Sequence, residues 1–170
     1  NNDLLDKFKK SILPDVVGHD ELVEALVIQQ FSGDGYTSDN EGEGSEINIL
    51  VITEPALSKS KMGLRITSLN PKGLYINAQA TSIPGLIGTV KQNTGNNNWN
   101  FEHGSIIQAN NGTLVIDEID KAPEELHTIL NEPMANHRVT VSKAGTKISY
   151  NIDVKVLAFR NPENVVFNTK

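Results

Sequence analysis

Ile47-Asn48-Ile49-Leu50-Val51-Ile52-Thr53-Glu54-Pro55-Ala56-Leu57-Ser58-Lys59-Ser60 is an apolar run of strand character that breaks into a loop and closes on a lysine and a hydroxyl. A second apolar run, Thr113-Leu114-Val115-Ile116, ends in Asp117-Glu118. The two ends together carry the residue types of a nucleoside-triphosphate site. A phosphate-binding loop reads G-x-x-x-x-G-K-S/T because glycines let backbone N–H groups curl around phosphate oxygens, while the lysine supplies charge and the hydroxyl takes magnesium. Here Thr53 and Ser58 stand at the two glycine positions.

With 170 residues, 38% of them hydrophobic and 21% charged, the chain has the make-up of one compact domain with a substantial core. Its net charge of −6 excludes a broad basic surface, so any nucleic-acid contact has to be local, made by a few Lys and Arg on a hairpin or loop. The absence of cysteine excludes disulfides, thiolate metal sites and cysteine nucleophiles and fits an intracellular setting. No apolar stretch approaches the roughly 20 residues of a membrane span, and the polar start Asn1-Asn2-Asp3 is no signal peptide. A soluble protein without membrane contact is expected.

Helical spacing of Leu4, Leu5, Phe8 and Ile12 predicts a helix that stops at Pro14, and Asp20 opens a second one to about Phe31. Residues 33–46 have the composition of an acidic, polar loop. Lys59 to about Leu69 reads as the helix after the phosphate loop, and Leu74–Asn77 as a strand. Residues 79–100, with Pro84-Gly85, Gly88 and a polar Asn-rich tract, read as an irregular insert or exposed hairpin. Ser105–Gln108 predicts a short helix, and Pro123 the start of a helix to about Asn131 or beyond, which Pro133 would kink or end. Alternation over Val139, Val141, Ile148, Tyr150 and Ile152 predicts a β-hairpin, and Val154–Phe159 a last strand ending at Asn161-Pro162. Strands alternating with helices imply an α/β fold with a mainly parallel sheet, whose ligands bind off the carboxyl ends of the strands. Lys59, Asp117 and Asn161 each follow such an end.

In that arrangement Lys59 would neutralise phosphate charge, and Ser60 and Asp117 would hold magnesium. Glu118 would polarise an attacking water, and Asn161 would orient that water or touch the γ-phosphate. No covalent nucleophile is needed. Taken singly each signal is weak, since Lys-Ser after a strand is common and Asp-Glu can simply cap a helix. Their order at three strand ends carries the reading. His19, His103, His127 and His137 show no ligand spacing and read as surface or loop residues.

Nearly the whole chain resembles the AAA+ motor domain of the minichromosome-maintenance (MCM) replicative helicases. The family's Walker A segment, approximately G-D-P-G-x-A/G-K-S, is matched by Thr53-Glu54-Pro55-Ala56-Leu57-Ser58-Lys59-Ser60. Its Walker B run, I-D-E-F/I-D-K-M, is matched by Ile116-Asp117-Glu118-Ile119-Asp120-Lys121-Ala122, and its sensor, V-L-A-A-x-N-P, by Val156-Leu157-Ala158-Phe159-Arg160-Asn161-Pro162. Val139-Thr140-Val141-Ser142-Lys143-Ala144-Gly145 matches the pre-sensor hairpin, and Gly85-Leu86 lies where the family carries its helix-2 insert.

The resemblance implies a P-loop AAA+ three-layer core over residues 1–170, with a helix-2 insert at 79–100 and a pre-sensor-1 β-hairpin. It implies that Glu54, Pro55, Ala56, Leu57, Ser58, Lys59, Ser60 and Asp117 bind ATP with Mg2+. It further implies that Glu118 and Asn161 act catalytically, and that Lys143 meets DNA in the channel of a ring, most simply a hexamer of MCM-like subunits. The expected location is intracellular, nuclear in a eukaryote and cytoplasmic or nucleoid-associated in an archaeon.

Thr53 and Ala56 stand where glycines are usual, and each added Cβ either strains the backbone or fills phosphate space. The chain ends at Lys170, before the family's arginine finger and C-terminal helical lid, so the isolated chain is expected to turn over ATP weakly. Two readings stay open. One is the ATP-binding module of a replication helicase coupling hydrolysis to translocation; the other is a degenerate MCM-like scaffold for DNA or partners in replication or recombination. Another AAA+ branch, such as a chelatase-like or MoxR-like chaperone, is disfavoured by the Lys143-Ala144-Gly145 hairpin.

Overall fold

In chain order the elements are α1 (Asn2–Ile12), α2 (Asp20–Phe31), β1 (Ile49–Ile52), α3 (Lys59–Leu69), β2 (Leu74–Asn77), α4 (Ile83–Ile87), β3 (Gly88–Gln92), β4 (Trp99–His103), α5 (Ser105–Gln108), β5 (Gly112–Asp117), α6 (Glu124–Asn136), β6 (Arg138–Lys143), β7 (Thr146–Asn151) and β8 (Val154–Arg160). A 3-10 turn over Ile119–Lys121 joins β5 to α6. The computed structural model describes residues 2–14, 16, 19–33, 46–53, 59–92, 99–143 and 145–162, with backbone alone at 2–5, 99, 143 and 146. The expected acidic loop at 33–46 therefore lies almost wholly outside the described residues.

β5 and β8 are the most buried strands of the sheet, and burial on both faces is what goes with a place in the middle of a parallel sheet. The sheet order is β1-β8-β5-β2, every pairing parallel, with Ile52 opposite Arg160, Ile116 opposite Ala158 and Asn77 opposite Asp117. Because strand side chains alternate between faces, Val115, Leu157 and Phe159 join α1, α2 and α3 in one core. Leu114, Ile116, Val156 and Ala158 join α5, α6 and the β6–β7 hairpin in the other. The result is an α/β three-layer core.

α2 is locked to the sheet by fully buried Gln29, whose Nε2 donates to Ile47 O and Val156 O at 2.9 Å each. α3 lies close because Gly63 carries no side chain: a Cβ there would come within 2.8 Å of Tyr75 Cε2 and 2.9 Å of Val115 Cγ1.

Pro133 does not end α6, which runs on to Asn136 with Pro133 buried inside it. The proline removes only its own N–H, near the carboxyl end of the helix. Residues 83–87, expected to be irregular, form α4, capped by the Ser82 hydroxyl that accepts from Gly85 N, with Pro84 in its first turn. β3 and β4 form an antiparallel ribbon, as do β6 and β7. The two ribbons meet where Phe101 stacks on Tyr150, ring centroids 5.1 Å apart.

Gly63→Ala tests the close approach of α3. Helix propensity alone favours alanine by about 1 kcal/mol, but the overpacked interface should cost roughly 1–3 kcal/mol. The urea midpoint is expected to fall at unchanged slope; a rise would show that α3 has room to spare.

Candidate active site

Parallel strands deliver their carboxyl ends to one edge of the sheet, and β1, β8, β5 and β2 all discharge chemistry-bearing residues there. β1 runs into Thr53, whose N–H donates to Arg160 O at 3.3 Å and so carries the β1–β8 pairing one residue further. Lys59 and Ser60 are the first residues of α3, where backbone N–H groups have no partner within the helix and the helix dipole favours anions. Lys59 is only 9% exposed. Its Nζ donates to Thr53 O at 3.1 Å and to Asn161 Oδ1, and no carboxylate pairs with it among the described residues. A buried ammonium held by two neutral oxygens is an electrostatic site for an anion.

One residue on, Ser60 Oγ donates to Asp117 Oδ2 at 3.1 Å. Tyr75 OH donates to the same carboxylate oxygen. Burial, seconded by that bond, pushes the Tyr75 phenol above its usual range, so the tyrosine stays a donor. Asp117 Oδ1 accepts from Glu118 N at 2.9 Å, which fixes the turn after β5. Glu118 adopts the left-handed conformation, φ 54 and ψ 42, costly for a residue with a side chain and of the kind concentrated at functional sites. Its carboxylate bonds Lys121 Nζ and accepts from Asn77 Nδ2 at 2.8 Å. The Lys121 ammonium, then the Asn77 amide, hold it below the usual carboxylate range. Asp120 Oδ1 accepts from Asn161 N at 3.1 Å, pinning the end of β8 to the turn after β5.

Of the residues expected from sequence to share a site, the structure brings Lys59 against Asn161 and Ser60 against Asp117. Glu54, Pro55, Ala56, Leu57 and Ser58 lie outside the described residues. Thr53 does not adopt the left-handed φ that would demand glycine, so the backbone strain expected there does not arise. Lys143 closes β6 opposite Thr146, at the far end of its ribbon; its side chain lies outside the described atoms. Sequence reading missed Tyr75, Asn77, Asp120 and Lys121 as partners in the site. Asn77 was findable, since it ends a strand as Asp117 does. Beside α3 opens a groove of about 740 Å3 lined by Leu13, Pro14, Val16, Met62 and Arg65 among others. Arg65 ties its two walls by donating to Ile12 O at 3.1 Å and Ser11 O at 3.2 Å.

Compared with known families, residues 1–170 match the MCM P-loop domain. The chain is 32% identical over 93% of its length to the minichromosome maintenance protein MCM of Saccharolobus solfataricus, of which it covers 23%. It is 30% identical over 97% of its length to the DNA replication licensing factor mcm7 of Schizosaccharomyces pombe, covering 22% of that protein. To the DNA replication licensing factor mcm4 of Xenopus tropicalis it is 28% identical over 99% of its length, covering 20%. The chain thus spans about a fifth of these curated relatives.

Removing the ammonium beside Glu118 should raise its titration. With its folded value depressed, Glu118 contributes stability that is present above the unfolded value and lost as pH falls through the folded one. Lys121→Ala should move the titration midpoint of Glu118, followed through its carboxyl resonance by carbon NMR, up toward the ordinary value of 4.5. An unmoved midpoint would mean that the Lys121 contact does not persist in solution.

Proposed function

We propose, for a chain that belongs to the MCM family through its P-loop domain, that this sheet edge binds ATP with Mg2+ as the motor module of a DNA-replication helicase ring. What supports the reading most is the buried Lys59 ammonium, held by neutral oxygens one residue from the Ser60–Asp117 pair. That donor set fits both parts of the ligand. The ammonium and the α3 N-terminus suit β- and γ-phosphate oxygens, while a hydroxyl and a carboxylate 3.1 Å apart offer hard oxygen donors. Bound magnesium would neutralise charge that builds on the transferred phosphoryl group.

The chain's own residues do the remaining work. Lys59 exchanges its contact with Asn161 for phosphate, which frees the Asn161 amide to orient water. Tyr75 keeps Asp117 aimed at Ser60. Glu118 is ionised but engaged, so it reaches a water only after releasing Asn77 and Lys121. To the groove beside α3, with apolar walls and two cations, Lys61 and Arg65, we assign the base.

The insert at 79–100 and the β6–β7 ribbon are the parts we assign to the channel side of the ring; β4, which continues the insert, meets the ribbon through Phe101 and Tyr150. Lys143 lies at the tip of that ribbon, and Lys147, opposite Ser142, lies one pair behind it. Arg138 pairs with Asn151 at the root, about 17 Å away along the strand. It therefore does not share the contact at the tip.

A fluorescent ATP analogue titrated in the presence of magnesium tests the site. Lys59→Ala should weaken binding by about 10- to 100-fold, the equivalent of a charged hydrogen bond's roughly 1.5–3 kcal/mol. If the wild type shows no magnesium-dependent binding, the degenerate-scaffold reading takes its place. For DNA, Lys143→Ala in assembled rings should weaken binding alike for all sequences and reduce the salt slope by about one unit. Unchanged affinity and slope would leave Lys143 a solvated turn residue.

A further inference from the structure

At the opposite, amino-terminal edge of the sheet the fold gathers a second set of donors. Glu46 stands just before β1, His137 between α6 and β6, and Asp153 between β7 and β8. One ligand atom from each lies within 4.8 Å of the others. His137 Nδ1 is 3.4 Å from Glu46 Oε2 and 3.6 Å from Asp153 Oδ1. Two donors bound to one tetrahedral zinc at about 2.0–2.2 Å sit about 3.3–3.6 Å apart. Both measured edges match that span.

The independent sign of a ligand is Glu46 itself. Its side chain is 5% exposed, it is turned toward His137, and its Oε2 has no hydrogen-bond partner among the described residues. A carboxylate oxygen buried without a donor costs several kcal/mol unless a cation meets it. Lys155 Nζ, near the start of β8, donates to Gln30 O and Ser32 O, at 3.1 Å each. A protonated His137 would still leave two carboxylates sharing one positive charge. The position of Glu46 is built in, because Gly33, at φ +95, lies against its stem, where a Cβ would come within 3.3 Å of Glu46 Cγ. His137 is presented by its own left-handed turn, φ 48, at the end of α6.

We propose that Glu46, His137 and Asp153 bind a divalent transition-metal ion of the zinc class. One imidazole and two carboxylates supply three positions, and water reaches the fourth past Asp153, whose side chain is 57% exposed. The ion fastens the root of the β6–β7 ribbon to the segment entering β1. His137 O accepts from Ile152 N at 2.9 Å, so both arms of the ribbon are held at that root.

Zinc and cobalt(II) are the probes. Metal content of the protein dialysed against micromolar zinc, measured by mass spectrometry, should exceed that of Glu46→Gln by one equivalent. Cobalt(II) should give visible ligand-field bands that His137→Gln abolishes. Asp153→Asn, an exposed substitution that leaves the fold in place, should weaken metal affinity by roughly 10- to 100-fold or more. Equal metal content in wild type and variants, or no cobalt bands in the wild type, would overturn the site and leave an ion pair of His137 with two carboxylates. Thermal melts with and without zinc give a second readout: the midpoint should rise in the wild type and rise clearly less in Asp153→Asn.

Discussion

The buried ammonium of Lys59 is the constraint around which the carboxyl edge is organised. Its two acceptors come from different parts of the chain, Thr53 O after β1 and Asn161 Oδ1 after β8, and those strands are neighbours in the sheet. Asn161 is in turn held by Asp120 from the turn after β5. A charge placed at the junction of three strand ends cannot be satisfied unless β1, β8 and β5 keep their order and register. The fold carries that cost because both acceptors are neutral and leave the ammonium able to meet an anion. The departures in the loop sequence spare the charge, the hydroxyl and the carboxylate, and at Thr53 the backbone does not take the left-handed φ that would demand glycine.

How far this was legible in the sequence depended on whether the deciding relation ran along the chain or across it. The ends of β1, β5 and β8 announced themselves, because an apolar run followed by Lys-Ser, Asp-Glu or Asn-Pro can be read in one dimension. Tyr75 and Asn77 were silent for the opposite reason. They matter only because β2 lies beside β5 with Asn77 opposite Asp117, and strand order is not written in local spacing. Lys121 and Asp120 follow Glu118 closely, yet their contacts depend on a 3-10 turn entered through a left-handed Glu118. α4 was misread because Pro84-Gly85 signals a turn, whereas the Ser82 cap makes the same residues a helix start. The Glu46, His137 and Asp153 cluster lay beyond sequence reading, since its members sit in three separate connections.

The two edges of the sheet differ in electrostatic character. At the carboxyl edge a cation is buried among neutral oxygens; at the amino edge a carboxylate is buried with too few donors. Parallel strands alone do not produce such an asymmetry, because their dipoles are small. It arises from what the connections carry: helix α3 begins at one edge, and loops carrying Glu46 and Asp153 enter at the other. Each edge is thereby suited to a ligand of opposite sign.

β8 joins these two edges directly. It starts after Asp153 and ends before Asn161, and its seven residues span about 23 Å while buried against both layers. The ribbon β6–β7 feeds into it through Ile152-Asp153 with no flexible linker, since Ile152 is in the core and its N–H is bonded to His137 O. Movement of the ribbon and movement of Asn161 must therefore pass through the same strand. A packed strand does not stretch, so such coupling takes the form of a shift of β8 as a body or of rotation at its two ends. Holding the ribbon root at the amino edge favours rotation at the other end. That end carries Asn161, whose contact with Lys59 is the one that the proposed function would have it exchange.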